Sequence, residues 1–117
     1  MLRIYGFDSD CDGFDTIDGS LKSMQEYVGG LITVVRLTDD IDLVANDEGI
    51  LLQLEPRVGL LDSKGRIADI IVGDCFLCRH DDNGNFTDIN KSDLPFIKKN
   101  LVWLDLPTYI LHKAIFG

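Results

Sequence analysis

The residues best suited to chemistry stand near the start of the chain, in the segment Asp8-Ser-Asp-Cys-Asp-Gly13. Aspartates at positions 1, 3 and 5 with glycine at position 6 match the first half of a calcium-binding loop, because calcium binds carboxylate oxygens. The glutamate expected at position 12 of such a loop is replaced by Gly19, and only Asp15 or Asp18 could substitute for it. A solvated acidic turn is the simpler interpretation, so we assign no residue to a metal site.

A second group of candidate metal ligands is Cys75-Phe-Leu-Cys78, followed by His80. Two thiols at this spacing are typical of zinc sites, which bind the metal with four ligands. Here the apolar surroundings predict a strand, in which side chains three residues apart point to opposite faces. With Cys11 the chain has three cysteines, an odd number that argues against a disulfide framework. We expect Cys75 and Cys78 to be structural free thiols, which favours a reducing, cytoplasmic location.

The sequence gives little support for nucleophilic catalysis or for a phosphate-binding loop. His80 and His112 are the only histidines, and neither accompanies a nucleophile turn such as Gly-x-Ser-x-Gly. The segment Val28-Gly-Gly-Leu31 lacks the lysine and further glycines of a phosphate-binding loop. The sequence therefore predicts a protein that is not an enzyme and that needs no cofactor.

The negative charge is the most conspicuous feature of the chain. Asp and Glu number 20 against 11 Lys and Arg, for a net charge of −9 over 117 residues. This balance argues against direct binding to a nucleic-acid backbone or to an anionic membrane. No stretch approaches the 18 apolar residues of a membrane span, and residues 1–7 do not form a signal peptide. A basic protein is the partner that the charge favours.

The carboxylates concentrate in two segments without any base, residues 8–18 and 39–48. In an extended chain Asp8, Asp10 and Asp12 would lie on one side at intervals of about 6.6 Å. Regularly spaced carboxylates can imitate a nucleic-acid backbone and occupy a basic groove. We predict a partner-binding acidic face made of Asp8, Asp10, Asp12, Asp15, Asp18, Asp39, Asp40, Asp42, Asp47 and Glu48.

The elements in the first half of the chain follow from hydrophobic spacing and turn residues. Residues 2–7 predict a strand, and 8–19 an acidic loop. Ser20 predicts the start of a helix with Leu21, Met24, Tyr27 and Val28 on one face, and Gly29-Gly30 its end. Residues 31–37 predict a central strand and 41–45 a half-buried one. Asn46-Asp-Glu-Gly49 predicts a hairpin turn, with a return strand over 50–54 that Pro56 stops.

The second half is predicted as an irregular connection over 57–66 and one strand over 67–78 broken by a bulge. Asp81-Asp-Asn-Gly84 predicts a hairpin with 85–89 as the return strand. Ser92 predicts the start of a short helix that extends through Lys99. The tail from Leu101 is predicted to begin as a strand and to become helical after Pro107. The sum is an α+β fold, a compact single domain over 1–117 in which one or two short helices pack on an antiparallel sheet.

Three patterns in order along the chain resemble a family of unknown function. They are Val28-Gly-Gly30, Asn46-Asp-Glu-Gly49 and Ile71-Val-Gly-Asp74, and the similarity covers residues 20–97. The acidic loop 8–19 and the apolar extension 98–117 lie outside it. The resemblance implies a setting in phages, plasmids and bacterial mobile elements, and brings no assigned chemistry.

Three hypotheses of different classes follow. The first is a small acidic phage or mobile-element protein that binds and inhibits a basic host protein of nucleic-acid handling or defence, such as a nuclease. The second is a protein that sequesters a small ligand or nucleotide signal, with phosphates bound by Arg57, Lys64, Arg66 and Arg79 beside Gly73. The third is a homo-oligomeric structural module in which the apolar tail 101–116 packs in a homodimer.

Overall fold

Antiparallel strands in two sheets make up most of the molecule, which a computed structural model describes over residues 1–104. The elements in chain order are β1 (Leu2–Phe7), β2 (Asp12–Ile17), α1 (Leu21–Val28), β3 (Ile32–Arg36), β4 (Ile41–Asn46), β5 (Pro56–Leu61), β6 (Ile67–Val72), β7 (Cys75–His80), β8 (Phe86–Thr87), a 3₁₀ turn (Lys91–Asp93), α2 (Leu94–Asn100) and β9 (Leu101–Trp103). Antiparallel pairing and two short helices confirm the coarse α+β prediction. The prediction of one sheet was wrong.

The larger sheet has the strand order β2-β1-β7-β4-β3, with β8 added to β7, and the smaller has the order β6-β5-β9. One face of the larger sheet packs on α1 through a cluster that includes Ile4, Met24 and Phe76. The opposite face packs on the smaller sheet and α2 through a second cluster that includes Leu43 and Val58. The larger sheet is therefore the middle layer, with α1 on one face and the smaller sheet and α2 on the other.

Local capping sets the bounds of α1 as predicted. The Ser20 side chain accepts a hydrogen bond from the backbone N–H of Ser23 at 3.1 Å, and Gly29 ends the helix with φ of 80°. The left-handed conformation of Gly29 lets the following N–H, that of Gly30, donate to the Gln25 carbonyl at 3.0 Å. The helix buries Met24 and Val28 against the larger sheet.

The predicted acidic loop over 8–19 was wrong, since half of it is β2. Asp8 accepts hydrogen bonds from the backbone N–H groups of Asp10 and Cys11 at 2.8 and 2.9 Å, which closes a tight turn. The chain then returns along the whole of β1, from the pair of Phe7 and Asp12 to the pair of Leu2 and Ile17. A strand with exposed aspartates is stable here because β1 supplies every backbone partner on one side.

Two strand positions differ from their predictions. The strand predicted to be central is β3, which lies at an edge of the larger sheet, and Val34 is 44% exposed. The strand predicted to be half-buried is β4, and all of its residues from Ile41 to Asn46 are buried. Alternation in the sequence of β4 suggested one polar face, but α1 and neighbouring strands cover that face.

The segment between β4 and β6 also departs from the sequence prediction. Residues 50–54 do not return as a strand, because Leu52 and Leu54 donate backbone hydrogen bonds to Glu48 and Gly49 in compact turns. Pro56 begins β5 instead of ending a strand, which is allowed because the first residue of a strand needs no ladder N–H. The connection predicted over 57–66 is β5 and a tight turn that Asp62 stabilises.

The strand predicted over 67–78 is two strands in different sheets, β6 and β7, with a corner at Gly73 and Asp74. The hairpin at Asp81–Gly84 is confirmed, although its return strand β8 is shorter than predicted. Asn90 and Asp93, rather than Ser92, form the capping box before α2. The tail prediction after Pro107 lies outside the described residues.

None of the helices within residues 1–104 has the length and apolar character needed to cross a bilayer.

Candidate functional site

Eight of the ten predicted acidic residues lie at two ends of the larger sheet, whereas Asp15 lies within β2 opposite Ile4 and Asp42 is buried in β4. The Asp47 end comprises the end of β1, the start of β2, the end of β4 and the start of β7, since Phe7 pairs with both Asp12 and Cys75. The Asp40 end comprises the opposite ends of these strands. The six residues of β4 separate Asp40 from Asp47 by about 20 Å, so each predicted segment is divided between the ends. The predicted acidic residues at the Asp47 end are Asp8, Asp10, Asp12, Asp47 and Glu48. Those at the Asp40 end are Asp18, Asp39 and Asp40.

At the Asp47 end, the turn of Asp8 to Cys11 does not present the expected row of carboxylates. The Asp8 carboxylate faces backbone N–H groups, and the Asp8 carbonyl accepts a hydrogen bond from the Trp103 indole at 2.9 Å. Asp12 instead accepts from the Tyr5 hydroxyl at 2.8 Å and lies 3.6 Å from the Lys98 ammonium. The Asp8 and Asp12 carboxylates thus have different partners, and the turn at residues 8–11 keeps Asp8, Asp10 and Asp12 from forming an extended row of charges.

The field of these carboxylates acts on neighbouring groups. The negative charge of Asp8, with smaller effects of burial and of Asp10, Asp12 and Asp15, raises the pKa of the Cys11 thiol. A raised pKa keeps the thiol protonated and therefore a poor nucleophile. Burial, followed by the hydrogen bond to Asp12, raises the pKa of Tyr5.

At the Asp40 end, the sheet brings together two acidic turns that are forty residues apart in the chain. Ile41 pairs with Arg79, and the His80 N–H donates to the Asp40 carbonyl at 3.2 Å. The β3–β4 turn therefore lies beside the β7–β8 turn. The two turns surround an open depression of about 280 Å³ lined by Arg36, Asp39, Asp40, His80, Asp81, Asp82 and Gly84.

Sequence reasoning missed the contribution of Asp81 and Asp82 to this depression. Both were recognised only as hairpin residues, because their proximity to Asp40 depends on the pairing of β4 with β7. Asp82 is exposed, whereas Asp81 accepts hydrogen bonds from the N–H groups of Asn83 and Asn85. Those backbone hydrogen bonds, with Asn85 the largest cause, lower the pKa of Asp81. The depression thus contains carboxylates from both turns.

Asp42 does not belong to an exposed face, which corrects its predicted role. Its side chain is 5% exposed, and one carboxylate oxygen lies 2.9 Å from Nδ1 of His80. The other oxygen, Oδ1, is buried and has no hydrogen-bond partner among residues 1–104. Asp42 and His80 lie on the face of the larger sheet that packs on α1, where a partner protein cannot reach the carboxylate.

The basic residues of the nucleotide hypothesis do not converge. Arg57 pairs with Asp74 at 3.0 Å, Arg66 with Asp62 at 3.2 Å, and Arg79 with Asp93 at 2.7 Å. Arg57 lies at the start of β5 and Arg66 follows the far end of that strand, so one phosphate cannot contact both. The cavity of about 300 Å³ beside Arg57 and Gly73 is lined also by Glu26, Glu55 and Asp74, which disfavour an anion.

The cysteines of the zinc-like pattern lie on opposite faces of β7, as predicted. Cys75 is buried in the cluster beneath the smaller sheet and Cys78 in the cluster beneath α1. Burial raises the pKa of both thiols, that of Cys78 to about 12. Within residues 1–104, no group of three or more His, Cys, Asp or Glu side chains is arranged to hold a metal ion.

A comparison with family models supplies the family. The model described as "Domain of unknown function (DUF3846)" matches residues 10–101, more than half of the chain. The chain belongs to this family. The DUF3846 match begins ten residues before the expected start at Ser20, so it includes β2, the first acidic segment from Asp10 onward and the whole of the second. No curated protein and no solved structure matches the chain.

Proposed function

We propose that this protein is a non-enzymatic inhibitor that binds a basic region of a nucleic-acid-handling host protein through the acidic depression at the Asp40 end. The observation that supports the proposal is the pairing of β4 with β7, which places Asp39 and Asp40 beside Asp82. All three are exposed, and the Asp40 side chain is 69% exposed. A cationic surface would find several carboxylates within one area.

The basic groups near the depression do not neutralise it. Arg79 donates two hydrogen bonds to Asp93, at 2.9 and 2.7 Å, and lies 3.9 Å from Asp40. Its charge is therefore already shared with a buried carboxylate. Arg36 is exposed, and no carboxylate within residues 1–104 lies within ion-pair distance of it. The local charge stays negative, as does the net charge of the chain.

The same charge distribution provides a mechanism of inhibition. Complementary charge raises the rate of encounter with a basic groove and fixes orientation, and salt screens both effects. A protein bound in that groove would exclude nucleic acid from it. This mechanism fits one kind of partner, a host defence nuclease or DNA-binding protein that a phage or mobile-element product meets in the cytoplasm.

The test is affinity capture from a bacterial lysate at low and high salt with the wild type and the variant Asp39→Lys/Asp40→Lys/Asp82→Lys. We expect the wild type to retain a basic nucleic-acid-binding protein at low salt and to release it at high salt. The variant should weaken the affinity for that protein roughly tenfold or more, since its side chains repel a basic groove. Titration of the purified partner measures the affinity. Competition with DNA measures whether the bound protein excludes nucleic acid from the groove.

A matched control is Asp15→Lys/Glu26→Lys/Asp69→Lys, which changes the net charge equally at exposed carboxylates away from the depression. It should bind more tightly than the depression variant. An equal loss of affinity in both variants would mean that the overall charge, and not this site, determines binding. Retention of the same basic protein by the depression variant, or an absence of any salt-sensitive basic partner, would contradict the proposal.

A further inference from the structure

We propose that the edge of β3, on which no strand within residues 1–104 pairs, is a homodimer interface, in which β3 pairs antiparallel with β3 of a second copy about a two-fold axis at Val34. This proposal does not depend on the proposed function. It places the contact on the larger sheet, whereas the sequence hypothesis placed it on the tail. Leu101–Trp103 of that tail is β9, which pairs with β5 of the same chain.

The backbone of β3 presents its unpaired groups outward at alternate residues. Leu31 accepts a hydrogen bond from Asp47, and Leu37 donates one to Ile41, so the odd-numbered residues face β4. Because antiparallel pairs alternate, the N–H and C=O groups of Ile32, Val34 and Arg36 face away from β4. Pairing Val34 with Val34, and Ile32 with Arg36 of the second copy, would form about six backbone hydrogen bonds.

The other edges of the described sheets carry features that disfavour strand addition, whereas β3 carries only one charge, that of Arg36 at its last position. The opposite edge of the larger sheet, β2, contains Asp12 and Asp15. In the smaller sheet, β6 contains Asp69 and pairs with β5 in an irregular register. The other edge strand of that sheet, β9, has only three residues. Charges, irregular register and short length are the usual protections of an edge. β3 is β-branched at four of its five positions and free of acidic residues, so it is the edge suited to a second copy.

Apolar side chains surround this edge. Thr33 and Val35 line a groove of about 480 Å³ together with Ile50 and Leu51. Ile50 is 84% exposed and Leu51 77% exposed. Because Thr33 would lie opposite Val35 of the second copy, the two-fold axis brings Ile50 and Leu51 of each copy toward Val35 of the other. Their burial would add a hydrophobic contribution to the backbone pairing.

Charge complementarity selects a second copy as the occupant. Arg36, the one base on β3, would lie opposite Ile32 of the second copy, whose own strand partner is Asn46. The neighbouring Asp47 and Glu48 of that copy are exposed and lie about two strand spacings, roughly 10 Å, from the Arg36 backbone. This distance is within the combined reach of arginine and glutamate side chains. The two-fold axis repeats this contact, so that two sets of opposite charges offset the repulsion between the acidic ends of the two copies.

Sedimentation equilibrium of the full chain and of edge variants tests the proposal. The wild type should show twice the 13.1 kDa mass of one chain. Val34→Lys should raise the dissociation constant roughly tenfold or more, because it places two like charges on the axis. Val34→Pro should act likewise while keeping the fold, since the N–H that it removes does not pair with β4. Thr16→Lys, on β2, is the matched control and should remain dimeric.

A charge swap tests the predicted register. Arg36→Glu should weaken the dimer, and Arg36→Glu/Glu48→Arg should restore it. Amide exchange gives an independent measurement, because the N–H groups of Ile32, Val34 and Arg36 should be protected only at concentrations that populate the dimer. A monomer at all accessible concentrations, or a dimer that Val34→Lys and Val34→Pro leave intact, would overturn the proposal.

Discussion

The pair of Asp42 and His80 shows how one buried residue can be mistaken for a surface charge. In the sequence Asp42 belongs to an acidic run, yet its side chain is 5% exposed and its Oδ2 is 2.9 Å from the His80 ring. A buried carboxylate is costly unless hydrogen bonds compensate for its lost hydration. Here one oxygen has a partner and Oδ1 has none, so the site depends heavily on the histidine. We therefore assign the pair to folding and not to partner binding.

His80→Ala should reduce the free energy of unfolding by about 3 kcal/mol, since it leaves Asp42 buried without its partner. Asp42→Ala in the same chain removes the stranded charge, so the double variant should be more stable than the sum of the single effects implies. Urea unfolding of the four proteins at neutral pH measures this coupling. Strict additivity of the two single changes would show that the side chains do not interact.

At the scale of elements, α1 depends on a close approach to β1 at Gly6, near the end of that strand. The Tyr27 hydroxyl lies directly over Gly6, and the Tyr27 ring packs edge-on against Phe76 with centroids 5.3 Å apart. A Cβ atom at Gly6 would overlap the hydroxyl oxygen and lie 3.1 Å from Cζ of the same ring. Burial raises the pKa of Tyr27, consistent with this enclosed position. The absence of a side chain at Gly6 thus sets the separation of helix and sheet.

Gly6→Ala should lower stability by about 1–3 kcal/mol, because the helix must shift to accept the methyl group. Tyr27→Phe removes the overlapping oxygen, so Gly6→Ala/Tyr27→Phe should be more stable than Gly6→Ala alone. Thermal unfolding followed by circular dichroism compares the variants. If the second substitution gives no recovery, the contact with the hydroxyl is not what constrains Gly6.

At the scale of the whole molecule, ion pairs join elements that the chain order separates. Arg79 at the end of β7 donates two hydrogen bonds to Asp93, which also accepts from the Asn90 N–H at 2.9 Å. The pair connects the larger sheet to the start of α2. The hydrogen bonds from Arg79 lower the pKa of Asp93. A carboxyl whose pKa is lower in the folded state stabilises the fold above its unfolded pKa, near 3.9, and loses that effect as the pH falls through the folded value.

Asp93→Asn should therefore be less stable than the wild type by about 2 kcal/mol at neutral pH, and the difference should shrink as the pH falls below about 4. The reason is that acid protonates Asp93 in the wild type and so removes the same charge. Urea midpoints from neutral to acidic pH measure the effect, with exposed Asp82→Asn as the control. A difference that stays constant with pH would mean that the Asp93 charge does not stabilise the fold.

Local chemistry made several elements predictable from the sequence. The cap at Ser20, the left-handed Gly29 and the hairpin at Asp81–Gly84 each depend on residues within one turn of the chain. The opposite faces of Cys75 and Cys78 follow from strand geometry alone. The family resemblance was also present in the sequence, and the DUF3846 match confirms it. Composition determined the sign of the charge.

Strand pairing decided what the sequence could not. The register of β4 with β7 joins Asp40 to Asp82, buries Asp42, and leaves Asp47 at the other end of the sheet. Whether β3 is central or an edge depends on which strands lie beside β4, and no residue of β3 carries that information. Pairing joins residues far apart in the chain and depends on the burial of whole faces. Charge was therefore determined by the sequence, and the arrangement of that charge by the tertiary structure.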